Sequence, residues 1–295
     1  MKLEFLTGGL RTTTQDGGRV GHTHIGVPVG GALDRSAMEF ANSLVGNPVH
    51  SPVLEITLTG PRLKCLEAGT IALVGGDFEL IINGRTAFNN EPIFLNANDE
   101  IAIQRNGKGC RTYLAVGGDW LVAKWLGSAS ALRIGSHEFL PDAVWQVGQT
   151  LNTRELSVEP WPKAVLPPPK SSALITVFRG PEYSWLDKHS GVSLVGSPLQ
   201  VVDPSNRIGL RTQVDPTAPP PALKASHKIE MTSSGVQPGT VQLTPEGQAI
   251  IVMRDGQTIG GYPRVFQCTH QATNLLAQLT VGDTFTFKMI ELPDY

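Results

Sequence analysis

Short apolar runs, closed at brief intervals by glycine, proline and asparagine, set the rhythm of this chain. Val53–Leu58, Thr70–Val74, Phe78–Ile82, Glu100–Ile103 and Thr112–Val116 are rich in β-branched and aromatic residues and end on turn formers. Such runs fit a pleated, half-buried surface and predict strands. Asn83-Gly84 after the third run predicts a two-residue hairpin, because a type I′ turn needs positive φ at both central positions. Beyond the middle of the chain, Ile175–Phe178, Val241 and its neighbours, Ala249–Met253 and the segment around Phe285 repeat the pattern, and Ile229 marks a further candidate strand. Helical periodicity is rare. Ser36–Val45 carries an apolar face with Ser36 and Glu39 spaced as a capping box and Gly46 as a stop. Ala272–Leu279 presents Leu275, Leu276 and Leu279 to one side, and Glu182–Leu186 is expected to form a short turn after Pro181.

With 32 Gly and 22 Pro in 295 residues, the composition agrees with a mainly β architecture. A chain of this length, 40% hydrophobic, is able to bury a large core as two domains or one large β-domain. Prolines gather at Glu159-Pro160-Trp161-Pro162 and Pro167–Pro169, where regular ladders are forbidden. The expected division is therefore 1–165 and 166–295. A second cluster, Pro216–Pro221, reads as an excursion within the second half. Ile56-Thr-Leu-Thr-Gly-Pro61 and Ile175-Thr-Val-Phe-Arg-Gly-Pro181 echo one another faintly, as two related β-domains would.

Charge and cysteine usage narrow the function classes. Lys+Arg 24 against Asp+Glu 26 gives no positive field to collect phosphates, so nucleic acid is not an expected partner. No apolar run approaches the length of a spanning helix, and the start Met1-Lys-Leu-Glu4 lacks the features of a secretory signal; a cytoplasmic protein without membrane contact is expected. Three widely spaced cysteines, Cys65, Cys110 and Cys268, predict buried thiols rather than a disulfide framework or a thiolate zinc site. His22-Thr-His24 on a strand would turn both rings to one face, but no third ligand stands in register and no metal is expected.

Candidate chemistry concentrates in loops. Asp255-Gly-Gln-Thr-Ile-Gly-Gly-Tyr-Pro263 leaves an apolar strand, pairs two glycines and closes on a stiff proline, a combination that lets backbone N–H groups approach a ligand. A ligand-free turn between strands is the alternative reading. Thr14–Gly21 and Gly26–Asp34 form a second glycine-dense region interleaved with Gln15, Asp16 and Arg19, and the two regions suggest one composite site. Ser205–Arg211 spaces Arg207 and Arg211 four residues apart, able to fork onto a carboxylate or phosphate or to remain surface charges. There is no G-x-x-x-x-G-K-[ST], no G-x-G-x-x-G on a strand, no H-E-x-x-H and no G-x-S-x-G.

Nine short motifs occur in order: Gln15-Asp16-x-Gly-Arg19, Gly-Val-Pro-x-Gly-Gly-Ala-Leu-Asp34, Ala41-Asn42-x-Leu-Val-Gly-Asn47, Leu54-Glu55-x-Thr-Leu-x-Gly-Pro61, Tyr113-Leu-Ala-Val-Gly-Gly118, Gly127-Ser128-x-Ser130, Ser205-x-Arg207-x-Gly209, Gly239-Thr-Val-Gln242 and Gln257-Thr-x-Gly-Gly-Tyr-Pro263. The series resembles the biotin-dependent carboxyltransferase, allophanate hydrolase subunit 2-like family over nearly the whole chain. That resemblance implies two cyclophilin-like β-barrel domains with a few short helices. It also implies one of three roles: the C-type component of a bacterial ATP-dependent 5-oxoprolinase, the carboxyltransferase component of a urea carboxylase or amidolyase, or the non-catalytic partner of a kinase-inhibitor-like protein.

The first role is the main expectation: opening of 5-oxo-L-proline to L-glutamate by a complex with the A-type and B-type subunits of the 5-oxoprolinase. ATP would be bound mostly by the partners. Biotin would act only in trans, since no Ala-Met-Lys-Met turn is present. Under this reading Gly260 and Gly261 N–H groups meet an oxyanion or phosphate, Gln257 and Tyr262 position the reacting group, and Arg207 or Arg211 meets the substrate carboxylate. Asp16 and Asp34 are the candidate base or metal-side carboxylates, with Arg19 holding one of them or forming a structural ion pair with Asp16. Two positions depart from the family pattern: Asn206 replaces a common aspartate and Gly256 a frequent arginine.

Overall fold

The computed structural model describes residues 1–156, 167, 173–214, 220–224 and 231–291. The expected strand at Ile229, the 165/166 boundary and most of both proline clusters lie outside these residues. The chain divides into two compact units, Met1–Arg19 with Gly30–Pro169, and Val20–Val29 with Lys170–Tyr295.

The first unit is built on two antiparallel sheets. One orders Asp119–Trp120, Thr150–Arg154, Lys2–Thr7, Arg62–Glu67, Glu100–Arg105, Phe78–Ile82 and Arg85–Ala87 side by side. The other orders Arg11–Gln15, Val53–Thr57, Arg111–Val116, Gly69–Gly75 and Ile93–Leu95. Leu3 and Phe5 are buried between half-exposed Lys2 and Glu4, the period of two that a one-sided strand requires. Their core includes Leu54, Ile56, Leu73 and Leu114 from the second sheet. The opposite face of that second sheet is covered by the helix Arg35–Leu44, whose Ala37, Met38 and Ala41 pack on Val53, Val74, Tyr113 and Ala115. Covering both faces explains why Arg111–Val116 is buried at every position and reads as a continuous run rather than an alternation.

The hairpin after Phe78–Ile82 forms as the sequence predicts, with φ of 49° at Asn83 and 77° at Gly84 and Ile82 opposite Arg85. The helix differs in its first turn. Its cap is Asp34, whose carboxylate accepts from Ala37 N–H at 3.0 Å, while Glu39 faces the Arg35 guanidinium at 3.1 Å instead of closing a capping box with Ser36. Capping at Asp34, two residues before Ser36, lets a carboxylate satisfy an orphan donor of the first turn.

The second unit is a closed barrel of seven strands: Leu174–Arg179, Arg264–Cys268, Thr240–Leu243, Ala249–Val252, Gly209–Val214, Leu199–Val202 and Thr284–Met289, the last returning parallel to the first. Closure removes the exposed edges that a sheet of such short strands would otherwise present. Ile175, Val177, Val241, Ile251, Phe266, Phe285 and Phe287 fill it. Phe287 touches both Phe266 and Phe285, with ring centroids 5.4 and 5.3 Å apart. The helix His270–Leu276 is capped by Thr269, and the Glu182–Leu186 turn is a single 3-10 turn at Tyr183–Trp185. The helix Lys188–Gly196 has no clear sign in the sequence, because two glycines and two serines give it little intrinsic propensity. Packing against Thr284–Met289 and the Asp187 cap on Ser190 N–H, at 2.7 Å, sustain it. The chain is thus mainly β, and no helix among the described residues is long and apolar enough to cross a membrane.

Candidate functional site

In the first unit, Asp16 is buried and fully engaged. Its carboxylate accepts from Gly18 N–H at 2.8 Å, Ala129 N–H at 2.7 Å, and the Ser128 and Ser130 hydroxyls, each at 2.6 Å. Gly31, at φ +84°, passes so close that a Cβ there would lie 2.7 Å from the Asp16 carbonyl oxygen, so only glycine fits this crossing. Arg19 is fully buried, donates from Nε to Trp125 O at 3.1 Å and from Nη2 to Ser130 O at 2.5 Å, and lies over the Trp125 ring at 5.2 Å. Ser130 therefore joins the two residues, donating to Asp16 through its hydroxyl and accepting from Arg19 through its carbonyl. All four of these donors come from the chain itself, so the carboxylate is held in place by the Gly18 and Ser128–Ser130 segments. The Gln15–Arg19 and Gly127–Ser130 motifs are in contact, and the contact organises the loop.

Asp34, the other candidate base, is the helix cap described above, and its N–H donates to the Tyr113 hydroxyl at 2.8 Å. Tyr113 in turn donates to Glu55 Oε2 at 2.9 Å, and Arg111 Nε stands 3.6 Å from Glu55 Oε1. Burial, then the charges of Glu55 and Asp34, push the Tyr113 hydroxyl well above its ordinary value, so it is a neutral donor. Sequence reasoning misses Glu55, Arg111 and Tyr113 as a polar group; the one local signal is Glu55 interrupting an apolar strand.

In the second unit the Asp255–Pro263 loop connects two barrel strands, and its Ile259–Gly260 segment pairs antiparallel with the distant Ser234–Gly235. Beneath it lies Gln242, only 1% exposed. Gln242 Oε1 accepts from Gln257 Nε2 at 3.2 Å and its Nε2 donates to Tyr262 O at 3.3 Å. A Cβ on Gly260 would fall 2.5 Å from that same Nε2. The structure thus brings Gln257, Gly260 and Tyr262 together around a residue whose sole mark in the sequence is the Gly239–Gln242 motif. Gly261 and Tyr262 are exposed at the tip.

The arginines depart from expectation. Arg207 forks onto Asp255, Nε to Oδ2 at 2.7 Å and Nη2 to Oδ1 at 2.8 Å, rather than projecting towards a ligand. Arg211 reaches Gln248 Oε1 at 3.4 Å. A charge-assisted bidentate pair engages the guanidinium within the protein, and Arg207 lines neither the cleft beside the Asp255–Pro263 loop nor the two smaller hollows of the first unit. Asn206 serves as a turn residue, its Oδ1 accepting from Ile208 N–H at 2.8 Å. At Gly256 a Cβ would stand 2.5 Å from Val252 Cγ1 and 2.7 Å from Ile208 O, so this backbone leaves no room for a side chain.

A cleft of about 830 Å³ opens in the second unit, lined by Val20, Gly21, Thr23, His24, Gly26 and Val29 from the early excursion, together with barrel residues. Thr258 and Ile259 of the loop also line it, so parts of both glycine-rich regions do meet in one place. The meeting involves 20–29 and the Thr258–Ile259 part of the loop, not Asp16 or Arg19. Gln237, Thr240 and Gln267 give the cleft neutral polar walls, with Phe266 and Val236 between them. Its two arginines are occupied: Arg264 is bound to Glu182 by Nε and Nη2 at 2.9 and 2.8 Å, and Arg179 lies 3.4 Å from Glu291. Hydrogen bonding from Arg264 holds the Glu182 carboxyl below the usual carboxylate range.

His22 precedes and His24 lies within an exposed 3-10 turn at Thr23–Ile25, not a strand, so the strand geometry that would put both rings on one face is absent. Among the described residues no group of three or more His, Cys, Asp or Glu side chains is placed to hold a metal ion. All three cysteines are buried and free, and burial pushes the thiols of Cys65 and Cys268 upward.

The family profile for the carboxyltransferase domain, subdomain A and B, matches residues 25–289. This chain belongs to that family. The carboxyltransferase-domain protein is 32% identical over 293 residues to the 5-oxoprolinase C subunit of Escherichia coli (strain K12), covering 99% of this chain and 92% of the relative. It is 30% identical to the urea amidolyase of Lachancea kluyveri, of which it spans 17%. Among solved structures, Kluyveromyces lactis urea carboxylase superposes with a TM-score of 0.86 at 28% identity, over 97% of this chain and 27% of that one. Carboxyltransferase-type architecture therefore accounts for both sheet systems.

Proposed function

We propose that this protein is the C-type component of a 5-oxoprolinase, acting with A-type and B-type chains to open 5-oxo-L-proline to L-glutamate at the expense of ATP. The observation that carries this reading is the end-to-end match to a 5-oxoprolinase component, which covers 92% of that relative. The urea amidolyase match is to a small part of a much longer chain.

The chemistry explains why ATP is needed. A lactam is a poor electrophile because nitrogen donates into the carbonyl, so transfer of a phosphoryl group to the carbonyl oxygen lowers the barrier to attack. Water then adds to the activated carbon, the C–N bond breaks as nitrogen takes a proton, and a second water releases phosphate from the resulting acyl phosphate. The cleft beside the Asp255–Pro263 loop suits a small cyclic amide. Its neutral Gln237, Thr240, Thr258 and Gln267 groups match an amide edge, and Phe266, Val236 and Ile259 match ring carbons. No nucleotide-binding motif occurs in this chain, so ATP binding is assigned to the partners.

The test is reconstitution with the A-type and B-type chains and measurement of 5-oxoproline-dependent ATP hydrolysis. Activity that requires this chain supports the reading; an unchanged rate without it overturns the reading. Activity that instead needs bicarbonate and is abolished by avidin identifies a biotin-dependent carboxyl transfer.

A further inference from the structure

We infer that Gln242 and Arg264, register partners on neighbouring barrel strands, are positioning residues that set the loop Asp255–Pro263 against the cleft. The inference deepens the functional reading above and relies on it only for its catalytic readout.

Gln242 acts from beneath. Its amide uses both ends on the loop, accepting from Gln257 and donating to the Tyr262 carbonyl, and it occupies the space a side chain on Gly260 would need. At 1% exposure, this amide has no bulk water to replace either bond, so any other loop conformation leaves a buried polar group unsatisfied. Arg264 acts from the side. Glu182 holds it through Nε, Nη2 and also the backbone N–H, at 2.9, 2.8 and 3.0 Å. That clamp leaves Nη1 to donate to Gly235 O at 2.8 Å. Gly235 lies on the strand that pairs with Ile259–Gly260, and Val236 N–H donates to Thr258 O at 3.0 Å. The barrel thus holds both strands of a ribbon, Ile259–Gly260 of the loop and Ser234–Gly235, that is only two residues long and too short to keep its own shape.

Two substitutions test this, each conserving volume or charge. Gln242→Met removes both amide bonds, and Arg264→Lys keeps a cation beside Glu182 but loses the Nη1 bond to Gly235 O. Hydrogen exchange read by mass spectrometry on the isolated chain should show roughly tenfold faster exchange in the peptide spanning 255–263 for each variant, the size expected from losing one or two hydrogen bonds. Exchange in Leu199–Val202 should stay unchanged. In the reconstituted complex the same variants should lower kcat/KM for 5-oxoproline by about tenfold or more; the melting temperature of Gln242→Met should stay close to that of the wild type, while Arg264→Lys, which also loosens the Glu182 pair, should melt lower without losing protection across the barrel.

Unchanged protection of 255–263 overturns the inference. So does loss of protection throughout the barrel, which would make these residues general stabilisers, and so does a loosened loop with undiminished kcat/KM. If the wild-type complex has no oxoproline-dependent activity, the functional reading fails and the exchange pattern alone decides whether the two residues position the loop.

Discussion

Arg207 and Asp255, 48 positions apart in the chain, meet in a two-bond fork of 2.7 and 2.8 Å at the root of the Asp255–Pro263 loop, with side chains 11% and 9% exposed. The Asp255 N–H also donates to the Arg207 carbonyl at 3.0 Å. This pair fixes where the loop leaves the barrel, a different task from binding a substrate carboxylate.

Breaking it from either side should therefore cost stability. Arg207→Ala or Asp255→Ala is expected to destabilise the barrel by roughly 1–3 kcal/mol, because each takes the opposite charge away from a largely buried one. The double variant should cost little more than either single one, giving a coupling measurable by a thermal or urea double-mutant cycle. Arg62 and Glu100, 59% and 53% exposed, supply the control: breaking their 3.3 Å contact should cost about 0–1 kcal/mol.

Asp34→Ala should cost about 1 kcal/mol through loss of the helix cap, and Asp34→Ser should recover most of it. If the cap is the residue's whole task, the serine variant retains turnover in the reconstituted complex. A stable but inactive serine variant would restore Asp34 to the catalytic groups.

Acid should weaken the second unit in part through Glu182. Its pKa is depressed in the folded state, chiefly by hydrogen bonds from Arg264, so its stabilising contribution is fully present above the unfolded carboxyl value of about 4.3. The contribution disappears as pH falls through the lower folded value. Melting curves from pH 6 to pH 3 should show a shallower acid slope for Glu182→Gln than for the wild type, with the variant less stable at neutral pH. Equal slopes would remove Glu182 from the acid response.

Gly260→Ala should displace the Gln242 amide, since the new methyl carbon would stand 2.5 Å from its Nε2. We expect a fall in kcat/KM of about tenfold, the scale of one or two lost hydrogen bonds. Gly261→Ala, whose Cβ would meet nothing nearer than 3.5 Å, is the mild comparison. Equal losses from both would argue for exposed backbone at the tip rather than the Gln242 contact.

Thiol reagents should leave the folded chain unlabelled, because Cys65, Cys110 and Cys268 are buried and burial holds the Cys65 and Cys268 thiols in their protonated form. Labelling of all three in denaturant, and none without it, is the expected titration. Rapid reaction of any one in the native protein would contradict this packing.

How much of this was legible in the chain depended on distance along it. Phe78–Ile82 and the Asn83-Gly84 turn were readable because strand alternation and two positive φ angles are local demands on neighbouring residues. Family membership was readable for a related reason: glycines such as Gly31, forced by close backbone approach, remain as fixed marks in the motifs. Asp34 was visible as a notable carboxylate, but whether it capped a helix or faced a ligand turned on a shift of the cap by two residues, from Ser36 to Asp34.

The sequence by itself determined a mainly β chain of short strands, one hairpin, the polar glycine loops and the family to which they belong. Tertiary structure alone decided that Arg207 answers Asp255, that Ser130 joins Asp16 to Arg19, that Gln242 lies under Gly260 and that Thr284–Met289 closes the barrel beside Leu174–Arg179. Each of those facts concerns which of several chemically suitable partners, far apart in the chain, arrives at a given place. That choice is made by barrel closure and core packing, which local preferences do not encode.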